Sequence, residues 1–356
     1  MLELEMLPAR EGDCLLLTYG HPESPRRVLI DGGRSATYVD LKTRLNQLPE
    51  AQRNFELVVV THVDRDHIEG ILAMLKDPAR PIQFKDFWFN GYHHLIGDTV
   101  ESFGARQGEM LSTEILIQRL PWNLAFKGKS VETRSGLPSV ELEGGLKLTI
   151  LSPNRDKLEA LVPRWEAECA EAGLIPGALV VPRSDLPAGL EAFGSFKIET
   201  AADEPFEKDP SKPNGSSIAL LAEYEGKRLL LTGDAHADLL ADSIQPLAQR
   251  AGGRLALDAF KLSHHGSAGN TSRTLLDLIS CGTYLISTNG SIYSHPDRNA
   301  LARVVRYGDR EKEFVFNYET PQTSFWRNNV WQTKHGYRTR YASPGESGSV
   351  KLSFSV

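Results

Sequence analysis

The chain reads as an α/β protein with mixed sheets. Three observations predict this. Short apolar runs recur along its 356 residues, and segments of helical period lie between them. Two of the runs are joined by a hairpin-like Glu225-Gly226-Lys227. Several runs end directly in Asp, His or Asn, which is where folds of this class place their chemistry.

Taken in order, Leu2, Leu4 and Met6 alternate with Glu3 and Glu5. This acidic alternation predicts a first strand and not a signal peptide. A strand over 14–19 follows Gly12-Asp13, and one over 28–30 ends at Asp31-Gly32-Gly33. Helical spacing covers 38–48. The continuous apolar run Leu57-Val58-Val59-Val60 leads through Thr61 to His62, and a helix is expected over 68–76. Further helices are predicted over 113–120, 235–249, 272–279 and 299–307. A strand over 146–151 ends at Ser152-Pro153-Asn154, and the hairpin strands 218–224 and 228–232 end at Gly233-Asp234. The strand 260–263 ends at His264-His265-Gly266-Ser267, and 284–287 at Thr288-Asn289-Gly290. The stretch of about 77–213 breaks this rhythm with prolines and charges. It reads as an insertion or an elaborated substrate-facing region, with 201–213 as a mobile loop.

Apolar residues make up 40 % and charged residues 24 %, with a formal net charge of −6. Mean hydropathy is −0.31 and the isoelectric point about 6.0. These values fit a globular protein with a sizeable core and exclude a wholly basic nucleic-acid coat. Cys14, Cys169 and Cys281 are too few and too scattered for a disulfide framework. No apolar run approaches the length of a membrane span. A cytoplasmic location is expected.

Metal-ligand chemistry concentrates in Thr61-His62-Val63-Asp64-Arg65-Asp66-His67. Two imidazoles and two carboxylates at the end of a buried strand suit one or two divalent cations. A plain helix cap would account for one aspartate and leave both histidines unexplained. Asp234, directly after a strand, is a candidate bridge between two cations; alone it would read as a turn or capping residue. His264 and His265 complete the set. If their strand continues they point in different directions, so one ligates and the other faces substrate as a proton donor.

These residues, in this order, resemble the metallo-β-lactamase superfamily, and more closely the hydrolase domain of the competence protein ComEC. The resemblance rests on Glu11-Gly12-Asp13, Asp31-Gly32-Gly33, the His62–His67 run, Asn214-Gly215-Ser216-Ser217, Gly233-Asp234, His264-His265-Gly266-Ser267, and Asn289 with His295-Pro296. It implies an αββα four-layer sandwich: two mixed β-sheets flanked by helices, forming a single domain over 1–356 with a basic, aromatic, β-rich extension at about 315–356. It implies two divalent cations, Zn or Mn, bound by His62, Asp64, Asp66, His67, Asp234, His264 and His265. The candidate catalytic residues are then Asp66, His265 and His295. Asn214, Ser217, Asn289 and His295 are candidate substrate contacts, and Asp13 and Asp31 candidate supports that orient ligand imidazoles. Asp64 stands where the wider superfamily has histidine. The usual third histidine is also absent, with Asn214 near its place. The half of the site built on His62 and Asp64 is therefore expected to be the weaker and more oxygen-rich one, favouring Mn²⁺ or Mg²⁺.

The resemblance implies hydrolysis of a phosphodiester, with DNA as a candidate substrate, by a metal-bound hydroxide. Residues 322–341 agree: Arg327, Lys334, Arg338 and Arg340 interleave with Trp326, Trp331, Tyr337 and Tyr341, without Asp or Glu. Such a pattern suits single-stranded nucleic acid, though an ordinary C-terminal hairpin would carry it too. Removing these four from the 40 basic residues leaves 36 against 46 acidic ones, so any nucleic-acid contact is local. Two other readings remain: a hydrolase of small esters, lactones or thioesters, and a non-catalytic, metal-stabilised interaction module.

Overall fold

A computed structural model describes all residues except 97–105, 135, 172–195, 344, 346 and 347. The first sheet is built from β1 (Leu2–Met6), β2 (Leu15–His21), β3 (Ser24–Ile30), β4 (Asn54–Val59), β5 (Gln83–Trp88) and β16 (Val350–Phe354). Their order is β16-β1-β2-β3-β4-β5. The pairings from β16 to β3 are antiparallel, and those from β3 to β5 parallel. The second sheet holds β6 (Ser139–Glu141), β7 (Lys147–Ser152), β8 (Ala219–Tyr224), β9 (Lys227–Leu231), β11 (Ala259–Lys261), β13 (Thr283–Ile286), β14 (Lys312–Phe316) and β15 (Tyr337–Tyr341). It runs β15-β14-β13-β11-β9-β8-β7-β6, parallel from β15 to β9 and antiparallel from there. The short β10 (Leu255–Leu257) and β12 (Ile279–Cys281) pair beside it.

Alternation of side chains sorts the apolar residues into three layers of core. Leu4, Leu17, Val28, Leu57 and Val59 of the first sheet meet Leu148, Ile150, Leu220, Leu229, Leu231 and Leu285 of the second. The outward residues Leu16, Leu29, Phe55 and Val58 pack on α1 (Tyr38–Asn46) and α2 (Arg65–Lys76) through Leu41, Leu45, Ile68, Ile71 and Met74. On the far side, Leu221, Leu230, Phe260 and Tyr284 pack on Leu240 and Ile244 of helix Ala237–Arg250 and on Leu301 and Val304 of helix Arg298–Tyr307. The result is a four-layer αββα sandwich. Strand β4, with parallel neighbours on both sides, is buried from Phe55 to Val59, which explains its unbroken apolar run. The β8–β9 hairpin turns on Glu225 (φ 47°) and Gly226 (φ 79°), with Tyr224 opposite Lys227.

Helix α2 is docked closely on the loop after β3 by backbone hydrogen bonds. Gly32 N donates to His67 O at 2.8 Å and Gly70 N to Gly33 O at 2.9 Å. A Cβ on Gly70 would lie 1.9 Å from Gly32 O, so no side chain fits. Gly70→Ala is expected to cost at least the roughly 1–3 kcal/mol of an overpacked core, read as a lower urea midpoint. An unchanged midpoint would contradict this docking.

Five expectations are corrected. The helix expected at 113–120 is Arg106–Ile117, and that at 272–279 is Arg273–Asp277, because Ile279 already opens β12. The stretch 77–213 is not an appendage in its described parts: β5 completes the first sheet, and β6 and β7 form one end of the second. Part of it lies outside the described residues. Residues 201–213 are tied down. Ala201 and Ala202 are buried in helix Ile198–Asp203, and Asp209 is held by three side chains described below. Finally, residues 315–356 are no β-rich extension. Helices Pro321–Ser324 and Asn329–His335 precede β15 and β16, which pair into different sheets.

The basic and aromatic pattern at 322–341 is partly built into the fold. Trp326 and Tyr337 are buried in the outer core, packed with Phe314. Trp331 packs at an angle against Phe325 and Phe196. Arg327 pairs with Glu319 at 2.6 Å, Lys334 with Glu199 at 2.8 Å and Arg340 with Glu313 at 3.7 Å. The acids that answer these cations lie outside the segment, so the segment's own composition could not reveal them.

Candidate metal centre

The candidate ligands converge where parallel strands end. Asp31 follows β3, the His62–His67 run follows β4, Asp234 follows β9, and His264 and His265 follow β11. All reach the gap between the two sheets' C-terminal edges. Asp64 takes the N-cap position of α2, yet its side chain makes no capping bond. Its carboxylate is left free to approach His62 Nε2, at 3.6 Å.

Asp234 is at the centre. Its backbone N–H donates to Ser217 Oγ at 3.2 Å. Its Oδ1 lies 3.4 Å from His67 Nε2 and 3.6 Å from His265 Nε2. Its Oδ2 lies 3.7 Å from His62 Nε2 and 3.9 Å from His264 Nε2. Asp66 Oδ2 closes the first group, 3.5 Å from His265 Nε2 and 3.9 Å from His67 Nε2. The strand carrying His264 and His265 does not continue as expected. Both residues adopt left-handed backbone, φ 48° and 55°. That turn brings both imidazoles toward the same carboxylate, with His265 in the buried group of potential ligands formed with His67 and Asp234.

The opposite edge of each imidazole is occupied. His67 Nδ1 lies 2.8 Å from Asp31 Oδ2, which also accepts from Thr61 Oγ1 at 2.7 Å. His265 Nδ1 lies 2.9 Å from Ser287 O, His62 Nδ1 3.0 Å from Thr61 Oγ1, and His264 Nδ1 3.1 Å from Asn270 Oδ1. With the Nδ1–H of His67 and His265 donated to oxygen acceptors, their Nε2 atoms face each other at 3.3 Å as two lone pairs. Carboxylate oxygens surround them, and His62 Nε2 and Asp234 Oδ1 are buried without a hydrogen-bond partner. Converging acceptors of this kind are satisfied by cations, so the donor set fits divalent metal. Without metal, protons take that place. Burial opposes charge on His67, but Asp234, Asp31 and Asp66 outweigh it and hold the imidazole well above its usual range. His264, opposed by burial and favoured by Asp234 and Asp209, is pushed up to about 9. Burial raises Asp234, yet His67, His265 and His264 carry it well below the usual carboxylate range.

Asp13 belongs to the same buried cluster as His67, Asp234 and His265. It approaches His265 from the Nδ1 side, at 3.5 Å, and its other oxygen is taken by a direct ion pair with Lys261. From there its carboxylate also stands within 4.8 Å of potential ligand atoms of His67 and Asp234. Lys261, fully buried within β11, went unnoticed in the sequence, although a cation inside an apolar strand is a visible signal. Asp209, Thr61, Asn270 and Ser287 carried no such signal.

The remaining candidates divide. His295 is 8 % exposed, with its ring 5.0 Å from that of His264 and Nδ1 3.2 Å from Asp297 Oδ1. Burial, only partly offset by Asp297, lowers its pKa. Asn214 Nδ2 donates to Asp209 Oδ2 at 2.7 Å and lies 3.2 Å from His264 Nδ1, behind that imidazole. Ser217 supports Asp234. Asn289 is not brought to the cluster: its Oδ1 accepts from Ser291 N at 3.0 Å and closes a local turn. The exposed ring of Tyr293 stacks on His295 at the rim.

No protein-family model matches the chain. It is similar to ComE operon protein 3 of Bacillus subtilis (strain 168), 29% identical over 103 residues, which is 29% of this chain and 13% of that protein. The chain thus matches only a small part of that relative's length. Among solved structures, it is similar to the metallo-beta-lactamase fold protein YhfI from Bacillus subtilis at 9% identity and a TM-score of 0.38, covering 99% of this chain and 100% of that one. CmlA, a diiron beta-hydroxylase from Streptomyces venezuelae, matches at 12% identity and a TM-score of 0.38, covering 99% of this chain and 54% of that one. None of its helices among the described residues is long and apolar enough to cross a membrane. Two mixed sheets lie face to face, helices cover both outer faces, and a histidine–aspartate cluster sits at the strand ends between them: the chain has the four-layer αββα architecture and the ligand cluster that its motif order implies.

Proposed function

We propose that the chain is a metal-dependent phosphodiesterase, with DNA among its candidate substrates. The observation that carries this reading is the Asp234 carboxylate with two imidazoles turned to each oxygen. His67, His265 and Asp66 would hold one cation on the Oδ1 side. His62 and Asp64 would contribute to a second on the Oδ2 side, with Asp234 shared. Two carboxylates beside the shared one make the donor set rich in oxygen, which suits cations that also clamp phosphate oxygens. The ComEC-like order of motifs supports the same class. Bound there, divalent cations would make a water acidic near neutral pH and neutralise charge on a phosphoryl oxygen.

The chain's own residues would do the rest. Asp31, Ser287 and Thr61 hold the imidazoles in place from behind. Asp66, at the open side of the cluster, would accept a hydrogen bond from the attacking water. His265 is held at both nitrogens, so its place as a proton donor passes to His295. His295, beside Asp297, would take up the proton that the attacking water releases and pass it to the leaving oxygen. Tyr293 offers an exposed aromatic face for a base or aryl leaving group.

The test is turnover of bis(p-nitrophenyl) phosphate and of single- and double-stranded DNA with Mn²⁺ or Zn²⁺, beside nitrocefin and a glutathione thioester. Phosphodiester turnover that chelator abolishes is expected. Activity confined to nitrocefin or thioester would move the substrate to a carbonyl centre. Full metal loading with no turnover of any substrate would leave a metal-stabilised interaction module.

A further inference from the structure

The four histidines of the cluster obey one rule. Each turns Nε2 to Asp234 and Nδ1 to a partner behind it. The resemblance counts all four among the ligands, and the distances place His62 with Asp64 on one side and His67 and His265 with Asp66 on the other. His264 is the exception, because the His62 and Asp64 side lacks the histidine that would match His265. The geometry points to His264 as that missing donor, with Asp209 as the residue that positions it. This rests on the two-cation reading above.

Several observations carry it. His264 Nε2 and His62 Nε2 approach the same oxygen, Asp234 Oδ2, at 3.9 and 3.7 Å, and Asp64 Oδ2 lies 3.6 Å from His62 Nε2. Donor atoms around a tetrahedral cation with bonds of about 2.1 Å stand about 3.4 Å apart, so these separations need only a slight closure. The two left-handed residues His264 and His265 send their rings to opposite oxygens of one carboxylate, at 3.9 and 3.6 Å. The Nδ1 edge of His264 is boxed in by Asn270 Oδ1 at 3.1 Å, Asn214 Nδ2 at 3.2 Å and Asp209 Oδ2 at 3.4 Å. Asp209 Oδ2 in turn accepts from Asn214 Nδ2 at 2.7 Å and Asn270 Nδ2 at 3.0 Å. A carboxylate and an amide oxygen behind Nδ1 hold the proton there and leave the Nε2 lone pair for a cation. The other side of the cluster repeats the arrangement with Asp31 behind His67, at 2.8 Å. On this account Asn214, near the place of the missing histidine, steadies the histidine that replaces it.

The experiment is metal stoichiometry and affinity, by elemental analysis of the loaded protein and by calorimetric titration with Mn²⁺ and Zn²⁺. Wild type is expected to take two equivalents. His264→Ala and Asp64→Ala are each expected to keep one tight equivalent and lose the second. Asp209→Asn, which preserves shape, should keep both and weaken only the second, by about 10–100-fold. Circular dichroism checks that each variant is folded; should His264→Ala fail to fold, Asp209→Asn and Asp64→Ala decide. Two equivalents in wild type, with the second unweakened in His264→Ala or in Asp209→Asn, would overturn the assignment while leaving the two-cation site standing. A wild type that never exceeds one equivalent would overturn both.

Discussion

Asp234→Ala is expected to abolish phosphodiester turnover and to remove metal from both halves of the cluster at once. Every other candidate ligand serves one oxygen of Asp234 or the other, whereas this carboxylate meets all four imidazoles. Losing it removes the one shared anion and leaves the imidazoles to repel each other if protonated. Lewis-acid assistance of several kcal/mol corresponds to roughly a thousandfold in rate, which sets the least loss to expect. Asp31→Asn, which leaves every ligand in place, should cost only about 10–100-fold in metal affinity. The two variants are compared in one phosphodiesterase assay and one metal analysis. Equal activity in wild type and Asp234→Ala would sink the proposed chemistry.

Lys261→Met should be the most damaging single change to stability. The lysine is wholly buried, paired with Asp13, and Asp13 faces His265 at 3.5 Å. Removing one partner of a buried pair typically costs about 3–5 kcal/mol, because the other charge stays behind in a dry interior. Asp13→Asn with Lys261→Met should recover much of that loss, a non-additivity expected of groups in contact. The pair also has a pH signature. Burial raises the Asp13 pKa, but Lys261 and His265 win and bring it from 3.8 to about 2. Because the folded value is depressed, the pair's stabilisation is present above 3.8 and is lost as pH falls toward 2. Wild type should therefore lose stability across that window more steeply than Asp13→Asn. Parallel curves in urea unfolding would contradict the pairing.

Much of this architecture could be read from residue order. A parallel strand buried on both faces must be continuously apolar, so β4 announced itself, and the polar residues that broke such runs marked the strand ends where the cluster assembled. The hairpin at Glu225-Gly226 was legible because its turn demands positive φ. Other features depend on partners far away in the chain. The aromatic segment around Trp326 looked like an open surface because Phe314 and Phe196, which cover it, and Glu199, Glu313 and Glu319, which answer its cations, lie elsewhere. Asp209 sits among prolines and charges that resemble a loose loop, and only the fold brings it against His264. The left-handed turn at His264 and His265 has no signature at all, since neither residue is glycine. A local rule predicts a strand there, and the packing of the cluster overrides it.

The cluster's residues come from His62 to His265 along the chain, and from loops that belong to both sheets. No hairpin or isolated helix can assemble it, because its central carboxylate and two of its imidazoles arrive about 170 or more residues after the first, so the cluster rests on contacts of long sequence separation. The His62–His67 run carries four of the donors by itself, but the carboxylate they share reaches them only when both sheets have met, so the complete donor set is a property of the finished fold.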